Sequence, residues 1–445
     1  MKVTIKSIMN IETILSALGI KKLNSMQLQA AEAIINRTNT VLIAPTGSGK
    51  TLAFLLPALQ MIVGGKKGVQ VLIIVPSREL ALQIEQVFRA MQTGFKVNSC
   101  YGGHPVKTEV NNLSEPPALL VGTPGRLADH LRRRSFNPDS VEMLVLDEFD
   151  KSLELGFRNE MEFIVQSLTN LNTRILTSAT GMDELPDFTQ MENPVFIRVA
   201  DASTNHGLEE FFIQAENQDK SELLVRLLHH AGKQSTLVFC NHREAVERIS
   251  NLLGQAGIAH GIYHGGLEQE QRELALIRFR NQTHNLLITT DLASRGLDIP
   301  EIMHVIHYQL PATESVWVHR NGRTARMHAG GKAWVLLTSE EYLPPFMQPL
   351  PRKFQLNESP QKEYPESEWE TIYLSLGKKD KVSNGDIAGF LLKTGGLKSD
   401  DLGRIDRLDY ASFAAVKRRK VRQLLAGVFG QKLKNKNVKT EIARI

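Results

Sequence analysis

The feature that most limits what this chain can become is a series of short, almost wholly apolar runs alternating with helical patterns. In the first half they are "TVLIA" (40–44), "VQVLIIVP" (69–76), "ALLVGTP" (118–124), "VEMLVLDE" (141–148) and "RILTSAT" (174–180). Strands without polar alternation must be buried on both faces, as in a parallel sheet covered by helices on each side. After a polar break at "ADASTNHG" (200–207) a second series follows: "STLVFC" (235–240), "NLLITT" (285–290), "HVIHYQ" (304–309) and "AWVLLT" (333–338). At 445 residues the chain exceeds one ordinary core. The two series predict two α/β domains of similar kind, over 1–203 and 204–343. Six prolines, at 344, 345, 349, 351, 360 and 365, mark 344–368 as an extended linker or a strap across a domain surface. From 369 to 445 the order becomes strand "TIYLSLG", helix "NGDIAGFLLKTGG", strands "GRIDRLD" and "SFAAVKR", helix "KVRQLLAGVF" and strand "VKTEIARI". This βαββαβ order predicts a small α+β domain of the split ferredoxin-like type, the architecture of RNA recognition motifs.

Charge separates this last segment from the rest. It carries 17 Lys/Arg against 7 Asp/Glu between 371 and 445, a surplus of ten in a chain whose net charge is +5, so the remainder is net negative. A basic module on a slightly acidic body suits a polyanion partner, although charge alone leaves a merely solvated surface equally open. Cys100 and Cys240 lie far apart in different domains and form neither a metal spacing nor a disulfide framework. No run approaches the roughly 20 apolar residues of a membrane span, and "MKVTIKSIMNIETILSALG" lacks the apolar core of a signal peptide. The expectation is a reducing, cytoplasmic setting with no membrane association.

"APTGSGKT" (44–51) follows a strand and opens the helical "TLAFLLPALQM". Thr46, Gly47, Ser48 and Gly49 would wrap backbone N–H groups around phosphates at a helix N-terminus. Lys50 would reach the β- and γ-phosphates of ATP, and Thr51 would ligate Mg²⁺. "LVLDE" (144–148) read alone is either a strand end meeting solvent or a metal-and-water station. Beside a phosphate loop the second reading prevails, with Asp147 holding Mg²⁺ through water and Glu148 activating the attacking water.

With these motifs in place the chain resembles the DEAD-box RNA helicases, in order from about residue 19 to 338. Gln27, 23 residues before Lys50, stands where that family keeps an adenine-reading glutamine. "PSREL" (76–80), "GG" (102–103) and "TPGR" (123–126) are similar to its RNA-contacting segments, and "DEFD" (147–150) and "SAT" (178–180) to its hydrolysis and coupling motifs. "LVFCN" (237–241), "HGGLEQEQR" (264–272), "TTDLASRGLD" (289–298) and "HRNGRTAR" (319–326) complete the set. The resemblance implies two tandem RecA-like domains with arginine fingers Arg323 and Arg326 completing the ATP site, and Gly296 and Asp298 at the ribose beside Arg295. It implies coupling through Ser178, Thr180, Asp150 and His319. RNA would be held by its phosphates and 2′-hydroxyls at Arg78, Gly102, Gly103, Thr123, Gly125, Arg126 and Arg272.

Three departures bear on the site. The family's adenine-stacking aromatic has Asn10 in its place, and residues 1–40 contain no Phe, Tyr or Trp. "LNSMQ" (23–27) replaces a Pro-Thr lead into the glutamine, and Phe149 replaces a small residue in the acidic motif. Phe149 has no chemical duty, so ATP hydrolysis is expected to survive it, with any change falling on coupling. The last domain resembles the RNA-binding domain of DbpA-type proteins through "GKKDKVSNGDIAGFL" (377–391) and "IDRLDYASFAAVKRR" (405–419). Tyr373 and Phe413 could stack bases from an open sheet face or simply pack. Lys417, Arg418, Arg419, Lys420 and Arg422, with the lysines at 432, 434, 436 and 439, are the expected phosphate contacts. The whole reads as a monomeric ATP-dependent RNA helicase opening short duplexes of large-subunit ribosomal RNA, in transient contact with pre-ribosomal particles. The rivals are an ATP-gated RNA clamp without productive unwinding and a superfamily 2 DNA translocase.

Overall fold

The structure, a computed structural model, describes residues 11–45, 47–179, 181, 184–199, 207–215, 219–294, 302–324, 330–356 and 364–444. It forms two compact units that divide near residue 204. In the first, seven strands form one sheet: β1 (Thr40–Ile43), β2 (Val71–Ile74), β3 (Val97–Cys100), β4 (Leu119–Gly122), β5 (Met143–Leu146), β6 (Thr173–Ser178) and β7 (Val195–Arg198). Their order is β3-β4-β2-β5-β6-β1-β7, with parallel pairing throughout. All four residues of β1, β2, β4 and β5 are buried, as their unalternated apolar spelling requires. Edge strand β7 is largely exposed. Two apolar cores lie on either side, one containing Leu42, Phe54, Ile73 and Phe88, the other Val41, Leu72, Leu144 and Phe149.

The second unit begins with another seven-stranded sheet: β8 (Leu208–Gln214), β9 (Thr236–Phe239), β10 (Gly261–Tyr263), β11 (Leu286–Thr289), β12 (His304–His307), β13 (Gly331–Leu337) and β14 (Arg352–Lys353). Its order, β10-β11-β9-β12-β13-β8-β14, repeats the first sheet strand for strand. The seventh strand comes from the proline-rich segment, which is therefore a strap on this domain. Phe354 follows it and packs on Trp334, ring centroids 5.1 Å apart, while Met347 is fully buried. A two-residue strand among prolines is an edge strand, the place where proline is tolerated.

The last domain has β15 (Trp369–Leu374), β16 (Leu402–Arg407), β17 (Ser412–Lys417), a hairpin of β18 (Lys432–Leu433) and β19 (Lys436–Asn437), and β20 (Thr440–Ile442). Its antiparallel sheet runs β16-β17-β15-β20, the order expected of a split βαββαβ unit. The hairpin is an addition that the sequence reading passed over. Lys434 and Asn435 take φ of 49° and 61° at its tip, as a type I′ turn requires. Ile372, Leu374, Ala414 and Val416 face the domain's own helices. The alternate residues turn to the opposite face.

That opposite face is docked. Phe413 and Tyr373 pack with Ala443 against Ile277 and Leu274 of the helix Gln269–Arg280 in the preceding domain. Thr371 Oγ1 lies 2.6 Å from Thr283 Oγ1 and accepts from Asn281 Nδ2 at 3.3 Å. Arg418 pairs with Glu370 at 2.9 Å and donates to the Thr283 carbonyl at 3.4 Å. Of the two readings left open for Tyr373 and Phe413, stacking on bases or packing, the structure shows packing, with Phe413 buried and Tyr373 half-buried. Ile277 and Leu274 offer the apolar surface that an open sheet face lacks, and Phe413 is only 6% exposed. Among the described residues no helix is long and apolar enough to cross a membrane.

Candidate functional site: a nucleotide loop, an acidic strand end and the motif loops

The phosphate loop joins β1 to the helix Lys50–Met61, whose N-cap Gly49 has φ of 89°. A side chain at Gly49 would be strained by that backbone angle, and its Cβ would fall 2.5 Å from Gln27 Nε2. Gln27 Nε2 donates to the Gly49 carbonyl at 3.2 Å. Asn24 caps the helix Ser25–Ile35 and forms a reciprocal capping box with Gln27, each bond 2.9 Å. The Asn24 amide also donates to the Ser48 carbonyl at 3.0 Å. The unusual "LNSMQ" spelling thus has a physical use, in that Asn24 and Gln27 tie the capped helix to the phosphate loop. Asn24 was missed as a site residue, although the Asn-x-x-Gln spacing of a capping box was present.

Lys50 Nζ donates to the carbonyls of Ala44 and Pro45, the latter at 3.1 Å. Asp147, at the end of β5, is 3% exposed, and its carboxylate accepts from the Thr177 hydroxyl on the neighbouring β6. Burial raises its pKa, opposed by the Thr177 bond and the nearby Lys50 charge. Glu148 follows in left-handed conformation (φ 48°), and its amide donates to Thr177 Oγ1 at 3.1 Å. Asp147 thus sits at the sheet end and Glu148 at the N-cap position of the helix Phe149–Glu154. Thr177 precedes the expected coupling residue Ser178, which is buried. Thr177 is a second missed residue, visible only once β5 and β6 are paired.

Phe149 is fully buried, with its ring 6.0 Å from that of Phe188, in the core that includes Leu146, Ile164 and Leu176. It fills space beneath the acidic turn and takes no part in the polar network. The expected RNA-facing group gathers beyond β3 and β4. Arg78 lies over the Tyr101 ring at 4.5 Å, next to Gly102 and Gly103, and Thr123 immediately precedes the helix Pro124–Arg132 that carries Gly125 and Arg126. Arg126 pairs with the buried Glu109 at 2.9 Å.

In the second domain the motif loops meet at Arg320, a residue the sequence reading overlooked inside "HRNGRTAR". It is fully buried. Its guanidinium holds Asp291 through Nε (2.6 Å) and Nη2 (3.2 Å), the Gln309 carbonyl (3.0 Å) and Asn241 Oδ1 (2.8 Å). One arginine thus joins "LVFCN", "TTDLASRGLD" and "HRNGRTAR". Arg323 and His319 are both 1% exposed, and His319 Nδ1 lies 3.3 Å from Ser315 Oγ. Arg272 lies in the first half of the helix Gln269–Arg280 and is half-buried. Thr46, Thr180, Arg295, Gly296, Asp298 and Arg326, as well as Asn10, lie outside the described residues.

This geometry accords with the comparisons. Residues 24–188 match the DEAD/DEAH box helicase family, 219–328 the helicase conserved C-terminal domain and 371–442 the DbpA RNA binding domain. The ATP-dependent RNA helicase DbpA of Bacillus subtilis is 30% identical over 96% of both chains. The chain belongs to the DEAD-box RNA helicases. Within this family it is also 35% identical to the ATP-dependent rRNA helicase RRP3 of Encephalitozoon cuniculi, over 72% of this chain and 81% of that one. The structure of S. cerevisiae Dbp5 bound to RNA and ADP BeF3 superposes with a TM-score of 0.66 at 25% identity, covering 74% of this chain and 86% of that one. This DEAD-box helicase therefore has two RecA-like parallel-sheet domains and a C-terminal antiparallel RNA-binding domain, and it couples ATP to work on RNA.

Proposed function

We propose that this helicase opens short duplexes in large-subunit ribosomal RNA, brought to its site by the last domain and driven by Mg²⁺-dependent ATP hydrolysis. The observation that carries the target class is the matched DbpA RNA binding domain, a basic module docked on the second helicase domain. The name of one relative, the rRNA helicase RRP3, points the same way. With the sheet face covered, RNA is held on the outward basic surface. Arg419 is 78% exposed at its side chain, and Lys434, Lys436 and Lys439 remain 46–68% exposed around the hairpin. Lys434, Lys436 and Lys439 pair with Asp386, Asp380 and Glu441 at 2.7–2.9 Å, exposed pairs that exchange readily for phosphate. Arg418 also bonds at the domain junction and Lys417 is only 21% exposed, so these two contribute less.

At the nucleotide, Gln27 reads the adenine while the amides of the 47–51 turn receive phosphate oxygens. Lys50 exchanges its carbonyl partners for the β- and γ-phosphates. Thr51 and Asp147 supply oxygen donors, the type a hard cation takes, so the residues present fit Mg²⁺. When bound, that ion neutralises phosphate charge. Glu148, held by its amide to Thr177, orients the attacking water and receives its proton. As the family resemblance implies, Arg323 and Arg326 serve as arginine fingers, and turnover requires them. The decisive experiment is crosslinking in cells followed by sequencing of the bound RNA. Enrichment at one large-subunit site is expected, and even spread over messages would refute the target.

A further inference from the structure

The expected RNA face of the first domain is assembled around a carboxylate that no motif predicts. Glu109, on the helix Val106–Leu113, is 3% exposed. Its Oε1 accepts from the Tyr101 amide at 2.9 Å and lies 2.8 Å from His104 Nε2. Its Oε2 accepts from Arg126 Nη1 at 2.9 Å and lies 2.7 Å from His130 Nε2, whose other ring nitrogen is 3.1 Å from Ser135 Oγ. Arg126 Nη2 donates to the His104 carbonyl at 3.0 Å. Burial alone would raise the Glu109 pKa. The bonds from His130 and the Tyr101 amide, with the Arg126 charge, outweigh it and hold the carboxyl below its usual range.

Three separate segments are thereby locked together: the turn Tyr101–His104 after β3, the helix Val106–Leu113 and the start of the helix Pro124–Arg132. The first and third carry Gly102, Gly103, Thr123, Gly125 and Arg126. Backbone amides on two loops can receive successive phosphates of one strand only if the loops keep a fixed spacing, and loops do not keep it unaided. We propose that Glu109 is the positioning residue of this RNA surface, fixing the distance between the two amide sets and the direction of the Arg126 guanidinium. The inference rests on the reading that these segments face RNA.

The same cluster has the donor types of a zinc site, since Cys100, Glu109 and His130 bring ligand atoms within 4.8 Å of one another. Against that, both carboxylate oxygens already accept bonds, one from a guanidinium that a metal would displace. Burial also holds the Cys100 thiol protonated. The arrangement is that of an ion-pair hub.

The test uses the full chain, ATP and a single-stranded RNA oligonucleotide, and separates the RNA half-saturation of ATP turnover from the KM for ATP. Glu109→Gln should raise RNA half-saturation about tenfold or more, the scale of losing charge-assisted hydrogen bonds. The KM for ATP should stay within about twofold. A purely structural defect lowers the active fraction, and hence kcat, without moving RNA half-saturation. Arg126→Ala should raise it too, and the double variant should be less than the product of the singles, because the two act as one unit. If Arg126→Ala weakens RNA and Glu109→Gln does not, the positioning role is wrong. If neither does, the RNA-face reading itself falls. Should Glu109 variants fail to fold, His104→Ala removes one partner from the partly exposed flank, and an unchanged RNA half-saturation there overturns the proposal. One equivalent of zinc in the purified protein would also overturn it.

Discussion

The two parallel-sheet domains share a strand order, yet each staples its motif loops with a buried charge of opposite sign. In the first domain the centre is an anion, Glu109, ringed by Arg126, His104 and His130. In the second it is a cation, Arg320, ringed by Asp291, Asn241 and the Gln309 carbonyl. The difference follows from what each centre can satisfy. A carboxylate accepts at two oxygens and gathers donors from two segments besides its own. A guanidinium has five donors in a plane and bridges acceptors on three loops at once. Equal topology therefore leaves the chemistry of loop fixation free, and the two domains should fail under different stresses.

Acid is the strongest way to break the comparison. His284 and His307 are buried neutral with pKa values lowered to about 3, chiefly by burial, and His304 to about 4. Each folded pKa lies below the unfolded value near 6.5, so the unfolded state binds more protons in that window. Their contribution is complete above pH 6.5 and is lost as the pH falls below it, down to about 4 for His304 and about 3 for His284 and His307. The carboxyl of Glu109 is also lowered, and its contribution is lost only below its ordinary value of 4.5. His104 shares the sign of the second-domain histidines but is partly exposed, 27% at its side chain. The second domain should therefore unfold first. All three tryptophans (317, 334 and 369) lie in the second unit, with Trp334 Nε1 donating to His304 at 2.9 Å. Their fluorescence should change at higher pH than the loss of ATP-analogue binding by the first domain; coincident midpoints would refute this.

Arg320→Ala comes next. It leaves Asn241 and the 28% exposed Asp291 without their shared partner and should cost about 3 kcal/mol in urea unfolding, the lower end for a buried pair that loses one member, because water reaches Asp291. A loss below 1 kcal/mol would show that the loops hold without their central cation. Phe149→Ala asks how far the first domain depends on apolar fill beneath its acidic turn. About 3 kcal/mol should be lost to the cavity, while RNA-stimulated ATP turnover persists below the lowered melting temperature. Turnover that vanishes with the fold intact would give Phe149 the chemical role denied to it here. The smallest effect belongs to the junction with the last domain. Thr371→Val strands the Thr283 hydroxyl and should cost about 1–3 kcal/mol, part of which Thr283→Val restores in the double variant. Additive losses would mean that the two hydroxyls do not share their bond.

Much of this was legible before folding. Unalternated apolar runs foretold two helix-covered parallel sheets, and the spelling foretold the glycine turn that opens a helix at Lys50 and Thr51 and the strand end that carries Asp147 and Glu148. Asn24 could have been read from its capping-box partner. Glu109, Thr177 and Arg320 could not. Nothing local distinguishes a buried glutamate in "PVKTEV" from a surface one, and Thr177 matters only because β6 lies beside β5. Tyr373 and Phe413 were correctly placed on one sheet face, yet the helix that covers that face comes from another domain.

The order of residues by itself determined which strands are central, where the glycine-rich turn opens a helix and which segment is basic, because these depend on composition and spacing along a few turns of chain. Tertiary structure alone decided which charges are buried against which, that a proline-rich strap supplies a seventh strand, and that the last domain turns its aromatic face inward. Those outcomes rest on contacts between residues distant in the chain. Burial sets the strength of such contacts, and burial becomes defined only when the whole fold has closed.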